Sequence, residues 1–165
     1  MQVLKQKEMQ KGVAAIEMAV VLMPMLLLCF GITELGRALY YYDGLAKATR
    51  GAARYLSQQS LASPPLGETA DSIRLKARSL ALCGANDCTG QPALVPGLSL
   101  AMISVCDPVA CPATHNNVPT GQGTTNLVSV TVGASTPFNF ASLIPWAVMS
   151  MDFGPISITM ASSTN

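Results

Sequence analysis

The sequence has little charge and few of the side chains from which active sites are usually built. Only 12% of its 165 residues are charged, the formal net charge is +1, and aromatic residues make up 5%. This balance provides no basic surface for nucleic acid. The one histidine, His115, lies in a polar Pro-Ala-Thr-His-Asn-Asn stretch and is interpreted as a solvated side chain, and the acidic residues form no convincing pair. We therefore expect a protein that is not an enzyme, binds no nucleic acid and holds no cofactor or metal.

Hydrophobic residues are abundant instead, at 50% of the chain, and their excess lies near the N-terminus. Residues 13–33 form an apolar run of about 20 residues, long enough to cross a bilayer core of about 30 Å as a helix. The run is too long for a cleaved secretory signal, and no small-x-small site follows it. Cys29 follows Leu28 rather than the small residue that a lipidation site requires. The sequence therefore predicts a transmembrane helix over residues 13–33.

The orientation of this helix is inferred from the cysteines. Lysines and arginines flank both of its ends, so the positive-inside rule does not decide it. An even set of cysteines in the C-terminal part is typical of disulfides in an oxidising compartment, and it consists of Cys83, Cys88, Cys106 and Cys111. We therefore place the N-terminus in the cytoplasm.

The pairing of these cysteines stays open at the level of the sequence. A zinc site of four thiolates is disfavoured because both pairs have C-x4-C spacing rather than the commoner C-x2-C. Three disulfide connectivities are possible. The local pairs 83–88 and 106–111 are the simplest, whereas crossed pairs would close longer loops and stabilise more in the chain-entropy model.

Three residues of the N-terminal part are unusual for a generic membrane anchor. Glu17 lies at membrane depth, where an unpaired carboxylate costs about 2–3 kcal/mol or more. Gly12 stands at the junction between the basic tail and the apolar run. Pro24 should kink or loosen the helix, either to help it pack among other helices or without consequence.

Several motifs that are weak alone occur together in residues 11–57. In chain order they are Lys11-Gly12-Val13-Ala14-Ala15-Ile16-Glu17, Pro24 in a Leu-rich core, Phe30-Gly31-Ile32-Thr33-Glu34-Leu35-Gly36-Arg37, Tyr40-Tyr41-Tyr42 and Arg50-Gly51-Ala52-Ala53-Arg54. As a set they resemble the TadE-like family of Tad/Flp pilus-assembly pseudopilins, whose N-terminus is similar to the type IV prepilin signal. Residues 156–161 resemble the closing strand of that family more weakly.

The resemblance implies a processing site and an assembly residue. A prepilin peptidase would cut after Gly12 on the cytoplasmic side, so that Val13 becomes the first residue of the mature chain and Glu17 the fifth. The new α-amino group of Val13 is a cation at the membrane surface. Glu17 of a neighbouring subunit would pair with it, which would offset the burial of the carboxylate and set the axial register between subunits.

The remaining periodicities predict an α+β, pilin-like fold. The apolar positions continue at helical spacing to Ser57, and a second amphipathic helix is expected from Glu68 to Leu82, with Gly84 as its C-terminal cap. Strands are expected over residues 98–105, 128–132 and 156–160, forming a three- or four-stranded antiparallel sheet packed on the long helix. Residues 107–126 are expected to form a long loop. The apolar segment 138–153 either fills the core or forms an exposed patch for a partner subunit or the membrane surface.

These expectations define four segments and one function. They are a basic cytoplasmic leader (1–12), a transmembrane helix (13–33), its periplasmic extension (34–60) and a small disulfide-bonded extracytoplasmic domain (61–165). The resemblance implies a minor pseudopilin in the inner membrane, working with other pilins or pseudopilins, the inner-membrane assembly platform and the peptidase. The alternative is an uncleaved, signal-anchored binding or adhesin-like protein.

Overall fold

The computed structural model describes residues 2–121, 123–143 and 150–162, with only the backbone described for residues 2–11. Its helices are α1 Gln2–Ser57, α2 Ala70–Cys83 and α3 Pro112–His115. Its strands are β1 Ile103–Cys106, β2 Val118–Thr120, β3 Gly123–Thr125, β4 Leu127–Val132, β5 Phe138–Ala141, β6 Ser150–Phe153 and β7 Ile156–Ala161. A long N-terminal helix, a second helix and small antiparallel sheets confirm the expected α+β class. The chain divides into two compact units, Met1–Leu39 and Tyr40–Asn165.

The part of α1 that belongs to the second unit has one buried face. Its members recur at helical spacing, and they are Leu45, Thr49, the adjacent Ala52 and Ala53, and Leu56. Small residues at this spacing allow other elements to approach the helix closely. The buried hydroxyl of Thr49 donates to the Leu45 carbonyl oxygen at 2.7 Å, so its polar group is satisfied within the helix. The helix ends at Ser57, as the periodicity predicted.

Helix α2 is delimited by a cap at each end. Thr69 is extended and accepts a hydrogen bond from the Ser72 N–H, while the Ser72 hydroxyl oxygen accepts one from the Thr69 N–H. This reciprocal pair satisfies two amide groups that the first turn leaves free. The expected start at Glu68 was therefore two residues early. At the other end Gly84 has φ 78° and its N–H donates to the Leu80 carbonyl oxygen, which confirms the predicted glycine cap.

The main sheet has three antiparallel strands in the order β1-β4-β7. Central strand β4 directs Val128, Val130 and Val132 into the core, where they are 2% exposed or less. The strand expected over residues 98–105 begins only at Ile103. Residues Leu100–Met102 form a 3₁₀ turn instead, after Gly97 has turned the chain at φ 88°.

Residues 107–126 are not a long loop, contrary to expectation. Proline at its first position starts the single turn of α3, and β2 and β3 pair as an antiparallel hairpin. The Asn117 N–H donates to Oδ1 of Asn126 at 2.9 Å, across the base of this hairpin. Local side chain–backbone bonds therefore provide the structure that composition alone did not indicate.

Strands β5 and β6 form a second hairpin that carries an aromatic cluster. Phe138 and Phe140 are buried. The Phe140 ring lies 5.9 Å from that of Tyr41, and the Phe153 ring lies 5.8 Å from that of Tyr42 with the edge-to-face geometry that aromatic pairs favour. The two strands therefore contribute to the core. Leu143 is 74% exposed, and the predicted apolar residues Ile144, Trp146, Val148 and Met149 lie outside the described residues.

Candidate functional site

The apolar run of α1 presents hydrophobic side chains around its whole circumference. Every residue from Gly12 to Thr33 is exposed, and the most apolar 18-residue window of the helix has a mean hydropathy of 2.4 with none of it buried. A continuous apolar surface of this size is unfavourable in water. At 1.5 Å per residue, residues 13–33 are about 30 Å long, which matches a bilayer core. Within the described residues, α1 is the one helix long and apolar enough to cross a membrane.

Glu17 lies on this apolar surface. Its side chain is exposed, and in the part of the chain that the structure describes it has neither a hydrogen-bond nor an ion-pair partner. Val13 and Glu17 are four residues apart and therefore lie on one face of the helix, a single turn from each other. An unpaired charged carboxylate is costly at membrane depth, and polar residues in such segments usually face other polar groups.

Gly12 lies inside the continuous helix α1, one turn before Ile16. A Cβ atom added to Gly12 would meet nothing within 4 Å, so packing in this structure does not require a glycine there. Glycine lowers the stability of a helix interior by about 1 kcal/mol relative to alanine. The residue therefore makes the backbone easier to unwind at the junction between the basic tail and the apolar run.

Pro24 also lies within α1, and the helix continues past it. Because proline has no N–H, the carbonyl oxygen of Val20 loses its usual helical partner. At the end of the apolar run, the Thr33 hydroxyl donates to the Cys29 carbonyl oxygen at 2.9 Å. The first ion pair after the run follows immediately, with the Arg37 guanidinium 2.7 Å from a Glu34 carboxylate oxygen.

The four C-terminal cysteines form two local disulfides. Cys83 at the end of α2 is joined to Cys88, and Cys106 at the end of β1 is joined to Cys111. Cys29 is a free thiol exposed on the apolar part of α1. Each disulfide closes a short loop, so neither ties distant elements of the second unit together.

His115 is not the solvated side chain expected from its polar surroundings. It is half-buried, and its two ring nitrogens both have hydrogen-bond partners. Nδ1 lies 2.7 Å from the Thr114 hydroxyl and Nε2 lies 2.8 Å from the Ser129 hydroxyl on β4. The ring therefore attaches α3 to the central strand of the sheet.

A buried ion pair between Asp107 and Arg74 was not predicted. Asp107 is fully buried, and its carboxylate accepts hydrogen bonds from Nε of Arg74 at 2.6 Å and from the second guanidinium nitrogen at 3.1 Å. It also accepts from the N–H groups of Val109 and Ala110. Burial by itself raises the pKa of Asp107, but these donors outweigh it and hold the pKa below its ordinary value. Arg74 and Asp107 are 33 residues apart in the chain, so no local sequence pattern connects them.

The structure combines an α+β fold with one exposed helix that is long and apolar enough to serve as a membrane anchor. A family described as TadE-like protein has a model that matches residues 12–54, which confirms the resemblance over the anchor and the helix that follows it. No curated protein and no solved structure matches the chain. The family match covers the apolar run and most of the helix that follows it, and does not extend to the remainder of the chain.

Proposed function

We propose that this protein is a minor pseudopilin of a Tad-type pilus assembly or secretion system and that it helps to initiate or support filament assembly. The observation that carries the proposal is the TadE-like match over residues 12–54. The match begins at Gly12 and includes Glu17, whose carboxylate lies unpaired on an otherwise apolar helix surface within the described residues. Such a surface suits a subunit that exchanges lipid contacts for contacts with other helices.

The proposed topology is a single pass through the inner membrane. Residues 1–12 form a cytoplasmic leader, residues 13–33 span the bilayer, residues 34–60 extend the helix into the periplasm, and residues 61–165 form the periplasmic domain. Two disulfides in the C-terminal part support this orientation, because disulfides persist in oxidising compartments. For incorporation into a surface pilus, the same transmembrane helix would have to be extracted from the inner membrane.

The proposed processing step is cleavage of the peptide bond between Gly12 and Val13 by a prepilin peptidase. The bond lies in a helix, so the peptidase must first unwind that turn, and glycine reduces the cost of doing so. Cleavage gives Val13 a charged α-amino group on the same helix face as Glu17. In an apolar environment a charge-assisted contact between this amine and Glu17 of an adjacent subunit offsets the desolvation of both.

The proposed partners are other pilins or pseudopilins and the inner-membrane assembly platform. Between helices in lipid, association depends on packing and on polar contacts rather than on the hydrophobic effect. Gly31 and Gly36 leave open space where a side chain would stand, which allows a neighbouring helix to approach closely. Pro24 leaves one carbonyl group free for a partner.

The first experiment determines the N-terminus of the full-length protein in membranes, by intact mass and N-terminal peptide spectrometry, with and without the peptidase. We expect a chain that begins at Val13 only when the peptidase is present. Gly12→Ala should remain full-length. Because an added Cβ meets no atom within 4 Å, the absence of cleavage would show that the peptidase fails to recognise the site rather than that the protein is misfolded. An unprocessed Met1 terminus in both membranes would contradict the processing step and favour an uncleaved, signal-anchored binding or adhesin-like protein.

The second experiment tests Glu17 in assembly. Glu17→Gln keeps the size of the side chain and removes its charge, and it should abolish co-purification with other pilus subunits and reduce surface filaments. Asp43→Asn is the matched control, because Asp43 is an exposed acid on the same helix beyond the apolar run, paired with Lys47 at 2.7 Å. Equal filament numbers in the Glu17→Gln and wild-type strains would refute a role of the carboxylate in assembly.

A further inference from the structure

Cys106, Cys111 and His115 bring three possible metal ligands together at one end of the sheet. Their sulfur and ring nitrogen atoms all lie within 4.8 Å of one another, and all three residues are half-buried. Two thiolates and an imidazole are the ligands that zinc prefers. The spacing Cys-x4-Cys-x3-His was not interpreted as a metal motif in the sequence.

Besides the disulfide, strand pairing and hydrogen bonds also hold these residues in place. Cys106 is paired with Ser129 in the β1–β4 ladder, and the Ser129 hydroxyl shares a hydrogen bond with the His115 ring. The Cys111 N–H donates to the Asp107 carbonyl oxygen at 2.8 Å, and the His115 N–H donates to the Cys111 carbonyl oxygen at 3.0 Å. The three positions should therefore stay together when the two sulfurs are separate thiols.

We propose that, before the Cys106–Cys111 disulfide forms, the two thiols and His115 bind a zinc ion. Binding displaces one proton from each thiol, so the cation is held by two thiolates and one neutral imidazole nitrogen, with water as the fourth ligand. That nitrogen exchanges its hydrogen bond with the Thr114 or the Ser129 hydroxyl for the bond to the metal. The Cα atoms of the two cysteines are 5.5 Å apart. Sulfur atoms bound to one zinc at about 2.3 Å are separated by roughly 3.8 Å, a distance that side-chain rotation at these positions provides.

Metal binding and disulfide formation exclude each other at this site. Oxidation transfers two electrons from the pair of thiolates to the disulfide of a donor protein, which takes up two protons and becomes a dithiol. The Cys106–Cys111 bond forms and the zinc ion is released. The site therefore protects the two thiols from premature or wrong pairing until such a donor acts. This inference does not depend on the proposed role in pilus assembly.

Cys83 and Cys88 provide an internal control. They have the same C-x4-C spacing and the same local pairing. Among the described residues, however, no group of three possible ligands includes them. Zinc should therefore discriminate between two cysteine pairs of one chain.

The experiment uses the full-length protein in detergent, with its disulfides reduced by a phosphine that competes weakly for metal. The reduced chain is alkylated with and without Zn²⁺, and the rate at each cysteine is followed by peptide mass spectrometry. We expect Zn²⁺ to slow alkylation of Cys106 and Cys111 by at least about tenfold, and to leave Cys83 and Cys88 unchanged. Equal protection of both pairs, or none, would overturn the proposal.

Two variants then test the histidine and the ligand set. His115→Asn retains hydrogen-bonding capacity toward Ser129 but removes the imidazole ligand, and it should abolish most of the protection. Cobalt(II) added to the reduced chain should give the intense thiolate charge-transfer band of a tetrahedral site, which Cys106→Ser/Cys111→Ser should eliminate and Cys83→Ser/Cys88→Ser should retain. A band that survives loss of Cys106 and Cys111, or protection that survives His115→Asn, would refute the assigned ligands.

Discussion

Replacement of Asp107 by asparagine tests how the loop after β1 is held against α2. Asp107→Asn preserves shape and an acceptor oxygen for the N–H groups of Val109 and Ala110. It replaces the other carboxylate oxygen, Oδ2, by an amide nitrogen and removes the negative charge that faces Arg74. The guanidinium of Arg74, whose side chain is 19% exposed, then loses its 2.6 Å hydrogen bond to Oδ2 and keeps only the 3.1 Å contact with the uncharged Oδ1.

The expected cost follows from burial of the pair. Breaking one partner of a buried ion pair costs about 3–5 kcal/mol. Because Arg74 retains some contact with water and a second acid, Asp71, at 2.7 Å, we expect the lower end of that range, about 3 kcal/mol. For a unit of this size the corresponding fall in melting temperature is about 10 °C.

Asp71→Asn is the matched control. Asp71 also binds Arg74, but its side chain is 90% exposed. A solvated ion pair contributes little, so the expected cost is below about 0.5 kcal/mol. Urea midpoints measured by pulse proteolysis of the full-length protein in detergent will compare the two variants. Similar midpoints for Asp71→Asn and Asp107→Asn would refute the reasoning from burial.

The Asp107–Arg74 ion pair also predicts that the stability of the folded protein depends on pH. The pKa of Asp107 is lower in the folded protein than its unfolded value of about 3.9. Its stabilising contribution is therefore complete above that unfolded value and is lost as the pH falls through the folded pKa. The stability difference between wild-type protein and Asp107→Asn should shrink over that interval. A difference that is constant from neutral pH to below the folded pKa would contradict this linkage.

Three further changes in the second unit can be measured with the same urea midpoints. Thr69→Ala removes the hydroxyl that caps α2 and should cost about 1 kcal/mol. Gly84→Ala places a side chain at φ 78° and should also cost about 1 kcal/mol. Phe153→Ala removes the ring that packs on Tyr42 and should cost about 2 kcal/mol, less than a fully buried phenylalanine, because Phe153 is half-buried. Tyr40→Ala is its control, since Tyr40 is 75% exposed and its loss should cost below about 0.5 kcal/mol; an equal loss would contradict the role of the cluster.

The elements that could be predicted from the sequence are those specified by local periodicity. The end of α1 at Ser57, the glycine cap of α2 and the alternation of β4 depend on neighbouring residues, so a short window of sequence contains the necessary signal. The start of α2 was misplaced because the reciprocal Thr69–Ser72 cap differs from the usual pattern with Glu or Gln at the third position.

The features that were missed depend on contacts between distant residues. No sequence pattern near Asp107 indicates its ion pair with Arg74, and none near His115 indicates the hydrogen bond between its ring and the Ser129 hydroxyl. The β2–β3 hairpin was hidden because its residues are polar and its strands are short. The processing site at Gly12 and the assembly role of Glu17 depend neither on local periodicity nor on contacts between distant residues. They rest on a motif, and they stay predictions until cleavage and assembly are measured.

The order of strands in the main sheet imposes a sequence of events on a chain that emerges vectorially. β4 lies between β1 and β7, and β7 follows every other described element along the chain. The α2 helix and both short disulfide loops can form as soon as their own residues have emerged, whereas one edge of β4 remains uncovered until residue 161 has followed. In the proposed topology, export of the domain therefore includes an interval in which its cysteines are available for oxidation while its sheet is still incomplete. In that interval each of the four cysteines is nearest along the chain to the cysteine with which it is paired in the structure, because both disulfides have a sequence separation of 5.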